Sequence, residues 1–396
     1  MGNNSKRIGR QERKVLNLVT LSEHRTETSV TRNISFNDKE ISYDFAGDVL
    51  PGPIRDLDAA LVATIFMAMR TGEPTHVAGG VSISLLENIE EFQRAWALLR
   101  PDLFRMATIT AEEELADRPR PNTAVIAYSG GVDANSSLAF HMEGHAGRRK
   151  RKMEAAVLIH GMDVPLSKDF DPVSSLARST LSHYGLPLTV IKTNWHEFNS
   201  HWEMVFVSGI TGCLHQFDVG YGIISSDEDY GSLVMPWSSN PATNHLLSGL
   251  RIMQTEGTGF TRTQKVKMLP PALTTNLRVC WQDISYGNKL NCGRCEKCIR
   301  TKMNFEANGL PSPACLGPRL TALDGLRPLA RNTVQRNYLV DALRMAQANN
   351  IDKGWVRTLP VGLFLSKPPG PFLTGIIRSP LRLIRRTIKA IAFPGK

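Results

Sequence analysis

The 396-residue chain has no long apolar run. Its most apolar helical stretch, Ala59 to Met69, is 11 residues, whereas a helix needs about 20 to span a bilayer. No apolar segment follows the first basic residues, so no secretory leader is read there. Position 6 is Lys, which removes the myristoylation pattern from Gly2. The expected location is the cytoplasm, with peripheral membrane contact open through the C-terminal end. Cysteine is absent until Cys213. A cysteine nucleophile is therefore not expected in the first half of the chain. No Lys follows the glycines of the one glycine-rich turn, which excludes the G-x-x-x-x-G-K-[ST] phosphate loop.

Acidic residues are absent from the C-terminal end and from one internal run, and scarce at the N-terminal end. Residues 148–152 read RRKRK, the last 21 residues hold six cations and no acid, and the first 15 carry five cations against Glu12. These segments carry +15 between them, so the remaining body is at −5 within a net charge of +10. A mildly acidic body with basic appendages argues against a broad nucleic-acid surface. Hydrophobic content of 42% and charged content of 21% are those of a globular protein, with length for two or three domains.

Residues 124–140 read AVIAYSGGVDANSSLAF. Ala124 to Tyr128 has the apolar, β-prone character of a buried parallel strand, and a helical pattern follows from Val132. Strand, glycine turn and helix N-terminus together make an anion site, because glycines let backbone approach a phosphate and the first N–H groups of the helix point at it. Around this motif, 30–45 reads as two strands about an Asn37–Asp38 turn. A helix is expected from Leu57 to Arg70, stopped by Gly72; Val77 to Ser84 is strand-like and Leu85 to Leu99 helical. Further strands are expected at Ala155–His160 and Leu188–Lys192, with a helix at Ser174–Tyr184 between them. This alternation predicts an α/β fold with a doubly wound parallel sheet. Its ligands sit beyond the carboxyl ends of the strands, which nominates Ser129 to Asp133, then His160 to Asp163, then Thr193 and Asn194, as the rim of one site. RRKRK falls at the opposite end, as a solvated helix terminus. The expected units are a flexible basic arm (1–15), an N-terminal α+β domain (16–120), the loop-bearing domain (121–275), a four-cysteine segment (276–320) and a C-terminal helical region (321–396).

Cys280, Cys292, Cys295 and Cys298 supply four thiolates in a spacing suited to a closed tetrahedral site. Zinc stands ahead of an iron–sulfur cluster, and a closed site is structural rather than catalytic. Cys213 and Cys315 are assigned to packing.

The SGGVD turn resembles the SGGxDS loop of the N-type ATP pyrophosphatases (PP-loop, adenine nucleotide alpha hydrolase-like), which cut ATP between its α and β phosphates. Followed by Cys…CxxCxxC, it is similar to the 7-cyano-7-deazaguanine synthase-like members. The likeness covers about residues 122–310 and departs in three ways: Ala134 replaces the usual Ser, the interval from Cys280 to Cys292 is long, and both flanks are extended. It implies that Ser129, Gly130, Gly131, Val132 and Asp133 hold the pyrophosphate of ATP. Asp133 would cap the helix and bias Mg²⁺, and Ser136 would add a hydroxyl. His160 and Asp163 would face the adenosine, and the cysteines would hold a structural Zn²⁺. The implied activity is an AMP-forming ligase that adenylates a small-molecule carboxylate or carbonyl and transfers a nitrogen nucleophile to it; since position 2 is Gly, without the N-terminal cysteine of the glutamine-hydrolysing relatives, ammonia is expected to be free or to come from a partner protein. A tRNA-modifying enzyme of the same superfamily and a non-catalytic nucleotide-binding module are the alternatives.

The polar segment 225–249 is the substrate candidate through Ser226, Tyr230, Trp237, Ser238, Asn240 and His245. Arg251 and Lys265 have the charge to meet a phosphate or carboxylate, but as cations of a common surface type they are not assigned to the site. At the C-terminal end, Leu381, Ile384, Ile388 and Ile391 fall on one helical face and Arg382, Arg385, Arg386 and Lys389 on the other. Such a stripe packs on its own domain or lies on an anionic membrane.

Overall fold

The computed structural model describes residues 16–235, 237, 240–280 and 290–366. The basic arm, Ser238 and the amphipathic C-terminal stripe lie outside them.

The described residues form an α/β fold on one ten-stranded sheet. Its strands are β1 (Asn17–Arg25), β2 (Val30–Phe36), β3 (Lys39–Gly47), β4 (Thr75–Ser82), β5 (Ile109–Leu115), β6 (Thr123–Ala127), β7 (Lys152–His160), β8 (Leu188–Thr193), β9 (Tyr221–Ser225) and β10 (Ile252–Glu256). Their spatial order is β10-β9-β6-β7-β8-β3-β2-β1-β4-β5. The β10-to-β8 half is parallel throughout. Three antiparallel pairings follow, and β1, β4 and β5 are again parallel.

The helices are α1 (Asp58–Thr71), α2 (Ile83–Leu99), α3 (Val132–Met142), α4 (Asp171–Leu181), α5 (Trp202–Leu214), α6 (Pro241–Asn244), α7 (Arg262–Lys267), α8 (Pro271–Thr274), α9 (Glu296–Ala307), α10 (Ala322–Leu326), α11 (Thr333–Ala348) and α12 (Gly354–Ser366). Alternation along β6 shows how the sheet is covered. Ala124 and Ile126 join the core under α3 and α4, while Val125 joins the core under α1, α2 and α5. Strands buried on both faces read as continuous apolar runs, which is why AVIA is recognisable. The hairpin expected at 30–45 turns at Asn37, whose positive φ of 56° suits Asn. Helix α1 ends at Gly72 in the left-handed region, as expected. Helices α11 and α12 pack on the Ile299, Met303 and Ala307 face of α9.

Two expectations need revision. Residues 16–120 share both sheet and core with the loop-bearing segment. Strand β3 runs antiparallel along β8, from Tyr43 opposite Thr193 to Gly47 opposite Thr189, closing an edge that β8 would otherwise expose. Phe45 of β3 packs edge-on against Phe217, which follows α5. The RRKRK run is also more than a solvated helix end. Arg149 bonds Glu256 and the Thr255 carbonyl, and Arg151 bonds Gln254 and lies 3.8 Å over the Tyr221 ring. These cations fasten the β9–β10 edge.

Across the shared core, fully buried Asp58 accepts the Ser82 N–H (2.9 Å), the Ser82 hydroxyl (2.8 Å) and the Leu250 N–H (3.0 Å). Asp58→Ala strands two buried N–H donors and is expected to cost about 3 kcal/mol. Because both segments share one core, urea unfolding of the variant should remain a single transition at lower midpoint. Two separated transitions would contradict a common core.

Candidate functional site

Strands β6, β7 and β8 advance in one direction across the sheet, whereas β9 and β10 lie on the other side of β6. The chain reverses between β6 and β9, and ligands of such sheets bind in the crevice at that reversal. The turn after β6 is Ser129–Gly131, and α3 starts at Val132.

The carbonyls of this turn are turned away and held. Gly130 O accepts from Arg278 N (2.9 Å) and Asn135 Nδ2 (3.1 Å), and Ser129 O accepts from Arg278 Nη1 (3.3 Å). Asn135 is fixed in turn by the Tyr128 hydroxyl, which donates to Oδ1 at 2.8 Å. Gly130 sits at φ 75°, the left-handed region that favours glycine. Gly131 N–H reaches Ser129 Oγ only at 3.4 Å. The Val132 and Asp133 N–H groups belong to the first helical turn and have no intrahelical acceptor. The result is a backbone donor array at a helix N-terminus, the arrangement that binds anions. Beside it, Tyr128, Ser129, Gly130, Val173, Ala177 and Arg278 help line a shallow, open cleft.

Two cations converge on Asp133. Residues TRTQ at 261–264 form a capping box: the Gln264 N–H donates to Thr261 Oγ, and the Thr261 N–H donates to Gln264 Oε1. The helix so started, α7, places Arg262 and Lys265 three residues apart on one face. Arg262 Nη2 lies 2.5 Å from Asp133 Oδ2, and Lys265 Nζ lies 3.3 Å from Oδ1. Lys265 is 1% exposed and also donates to Ser226 O at 2.6 Å, so it crosses from the turn after β6 to the turn after β9. Burial pushes the Asp133 carboxyl up, but the charges of Arg262 and Lys265 outweigh it and hold the group below its ordinary value. The triad keeps one positive charge in excess. Behind it, Arg262 and Arg300 approach the same Tyr338 ring at 5.4 and 4.2 Å, and Arg300 pairs with Glu296 at 3.0 Å.

The four predicted cysteines converge. One ligand atom from each of Cys280, Cys292, Cys295 and Cys298 lies within 4.8 Å of the others. A tetrahedral ion with bonds of about 2.3 Å separates its sulfurs by about 3.8 Å; Cys280 and Cys295 Sγ are 3.7 Å apart. The N–H groups of Arg294 and Cys295 donate to Cys292 Sγ, which favours a thiolate. The donor set fits a closed structural metal such as zinc. It packs in one apolar cluster with Val132 and Val266, against the start of α3 and the middle of α7.

Other predicted residues are placed as follows. Ser136 is buried on α3, three residues beyond Asp133 and on its face. His160 ends β7, but its Nε2–H donates to Pro165 O at 3.0 Å and its ring stacks on Phe170 at 4.3 Å, so it braces the turn it lies in. Asp163 is exposed; burial holds the Arg278 guanidinium below its ordinary value, and the Asp163 charge offsets part of that. Ser226 is buried with its hydroxyl on Glu228 O, and Tyr230 is exposed. Trp237 is half-buried, its Nε1 lacking an acceptor. Asn240 caps α6 and contacts Met235 Sδ. His245 lies on Pro241 O, in a 3₁₀ turn that packs on α2 and β10 rather than on the Ser129 turn. The polar segment is therefore split, with Ser226 at the crevice and Asn240 and His245 in local structure. Arg251 is buried on Asp56, outside the crevice. Arg262, Lys265, Arg278, Asn135 and Tyr338 were not predicted; the TRTQ box was the available signal for the first two. No helix among the described residues is long and apolar enough to cross a membrane.

No protein-family model, curated protein or solved structure matches this chain.

Two outcomes test the site's construction. A Cβ on Gly131 meets only Ser129 Oγ at 3.4 Å and Arg278 O at 3.6 Å, whereas any Cβ on Gly130 is strained by its φ. Gly130→Ala should lose about 1–2 kcal/mol in urea unfolding, and Gly131→Ala less than about 0.5 kcal/mol; the reverse order would contradict this turn geometry. Elemental analysis of purified protein should give one metal per chain. Cys298→Ala should lose that ion, and Cys315→Ser should keep it.

Proposed function

We propose that this chain is an ATP-dependent ligase that forms AMP and pyrophosphate. The observation that carries the reading is the donor array of Ser129–Asp133 at the sheet's reversal point, backed by the Asp133–Arg262–Lys265 triad. An array of N–H groups with excess positive charge suits a leaving group that gains negative charge, and catalysis of nucleotidyl transfer rests mostly on such positioning. The resemblance of SGGVD to the N-type ATP pyrophosphatase loop supplies the reaction class.

In this reading the β and γ phosphates lie on the N–H groups of Gly130 to Asp133. An oxygen of a small-molecule carboxylate or carbonyl attacks the α-phosphorus, and the P–O bond to pyrophosphate breaks. A nitrogen nucleophile then displaces AMP from the adenylated carbon and releases a proton. Asp133 keeps Arg262 and Lys265 in place and is a positioning group. Both its oxygens are in ion pairs, so it does not fit a magnesium ligand. The four-cysteine centre takes no part in bond making. Ser226 and Trp237 stay as candidates for the acceptor side of the crevice.

Purified protein with ATP, Mg²⁺, ammonium and a small-molecule extract of the source cells should yield AMP and pyrophosphate. The yield should vanish in Asp133→Ala and fall about 100-fold or more in Gly131→Ala, whose added methyl occupies the phosphate approach. ADP and phosphate in place of AMP, also lost in Asp133→Ala, would overturn the assignment.

A further inference from the structure

The four-cysteine centre and the Ser129–Asp133 turn are joined by two short bridges. The first is the segment from Leu277 to Cys280, which belongs to no helix or strand. Its polar backbone therefore has no ladder and must find partners singly. Arg278 gives its N–H to Gly130 O and its guanidinium to Ser129 O. Two residues later, Cys280 Sγ stands 3.7 Å from Cys295 Sγ. Asn291, immediately before Cys292, holds the same segment. Its Oδ1 accepts the N–H groups of Val279 (2.9 Å) and Cys280 (3.2 Å), and its Nδ2 donates to the carbonyls of Leu277 (2.7 Å) and Cys315 (3.1 Å). At 5% exposure, the Asn291 side chain spends its whole hydrogen-bonding capacity on backbone.

The second bridge starts on α9. Cys298 is followed two positions on by Arg300, which lies over the Tyr338 ring. Arg262 approaches that ring as well and holds Asp133. Val132 shares the apolar cluster of Cys280 and Cys298. The carbonyl side of the turn thus rests on Arg278, two residues from Cys280, and Val132 at the start of α3 packs in the cluster that holds Cys280 and Cys298.

We infer that the metal centre sets the shape of the anion-binding turn, with Asn291 and Arg278 as the positioning residues that connect them. An ion bound by the four sulfurs fixes Cys280. Asn291 then fixes the backbone between Leu277 and Cys280, and Arg278 turns the Ser129 and Gly130 carbonyls toward itself. Because a peptide unit is planar, holding a carbonyl on one side aims the following N–H to the other. Metal occupancy therefore controls how well the turn is organised before any ligand arrives. The inference rests on reading this turn as the phosphate site proposed above.

The test uses the full chain loaded with one zinc ion, the same chain after chelation, and zinc-loaded Asn291→Ala. Two quantities are read: amide hydrogen exchange of Gly130 to Asp133, and affinity for inorganic pyrophosphate by calorimetry. Chelation should speed exchange in the turn and weaken pyrophosphate binding, each about tenfold or more. Asn291→Ala should do the same while retaining one zinc, with exchange in α11 unchanged. Cys315→Ser, whose thiol donates to Thr274 O and is not one of the four converging sulfurs, should keep the zinc and change neither quantity. Unaltered turn exchange in chelated protein of native circular dichroism would overturn the inference. If chelation unfolds the chain, Asn291→Ala decides: zinc retained with unchanged turn exchange overturns it. If the zinc-loaded protein binds no pyrophosphate, the phosphate-site reading fails, and the exchange data still decide whether metal and turn are coupled.

Discussion

The Asp133 carboxylate held between Arg262 and Lys265 is the contact on which the crevice depends. It joins three elements distant in sequence: the first turn of α3, the helix α7 and, through the Lys265 bond to Ser226 O, the end of β9. Taking charges this far from water costs several kcal/mol per ion, and mutual attraction recovers that only with well-placed partners. Here each carboxylate oxygen has its own cation. The lysine, almost wholly enclosed, has a carbonyl as well. A well-packed apolar trio would hold the helices together as firmly, so stability alone gives little reason for charges here. A site that must receive an anion gives a better one, because the triad leaves a positive charge beside a helix N-terminus whose dipole has the same sign.

That site is placed by the sheet, and the sheet is a single object. Pairing of β3 with β8 makes the N-terminal strands an extension of the parallel half, and the core under α1, α2 and α5 runs beneath both. The buried Asp58 network ties Ser82 of the front portion to Leu250 just ahead of β10. The front portion therefore braces the far face of the strands that carry the crevice. On the near face, α9 does similar service. Its N-terminal end carries two cysteines, and its side carries Arg300 and the apolar row on which α11 and α12 rest.

Much of this was legible in the sequence, and what was missed has a common cause. The SGGVD turn, the hairpin at 30–45, the stop at Gly72 and the cysteine cluster are all signalled by residues within a short window, where backbone preference and spacing suffice. The β3–β8 seam joins residues about 150 apart, and nothing local in KEISYDFAG marks which edge it will meet. Arg262 and Lys265 read as ordinary surface cations until the fold brings Asp133 beneath them, although the TRTQ box announced a helix start there. Arg278 looked like any arginine near a cysteine. His160 shows the opposite error. Its position at the end of β7 is the one that strand topology nominates, but a stacked ring and a carbonyl bond within its own turn account for it. Topology locates a rim; it does not say which side chains on the rim are free.

Ala134, the residue at which the turn departs from the ATP pyrophosphatase pattern, has a physical account. It is 4% exposed and packs in the apolar cluster of Ile126, Leu138 and Ala156, on the sheet side of α3. A hydroxyl there would be buried among aliphatic groups and could bond only its own helix backbone or a ligand. Asp133 and Ser136, three residues apart, instead lie on the face toward α7, where the cations are. In the proposed reaction, a side-chain hydroxyl contact to phosphate at position 134 is thus exchanged for long-range attraction from Arg262 and Lys265. Such attraction tolerates an ångström of displacement that a hydroxyl contact does not. Orientation of the phosphates must then come from the backbone N–H groups themselves. That requirement explains why the Ser129 and Gly130 carbonyls are held by Arg278 and Asn135 instead of being left to solvent.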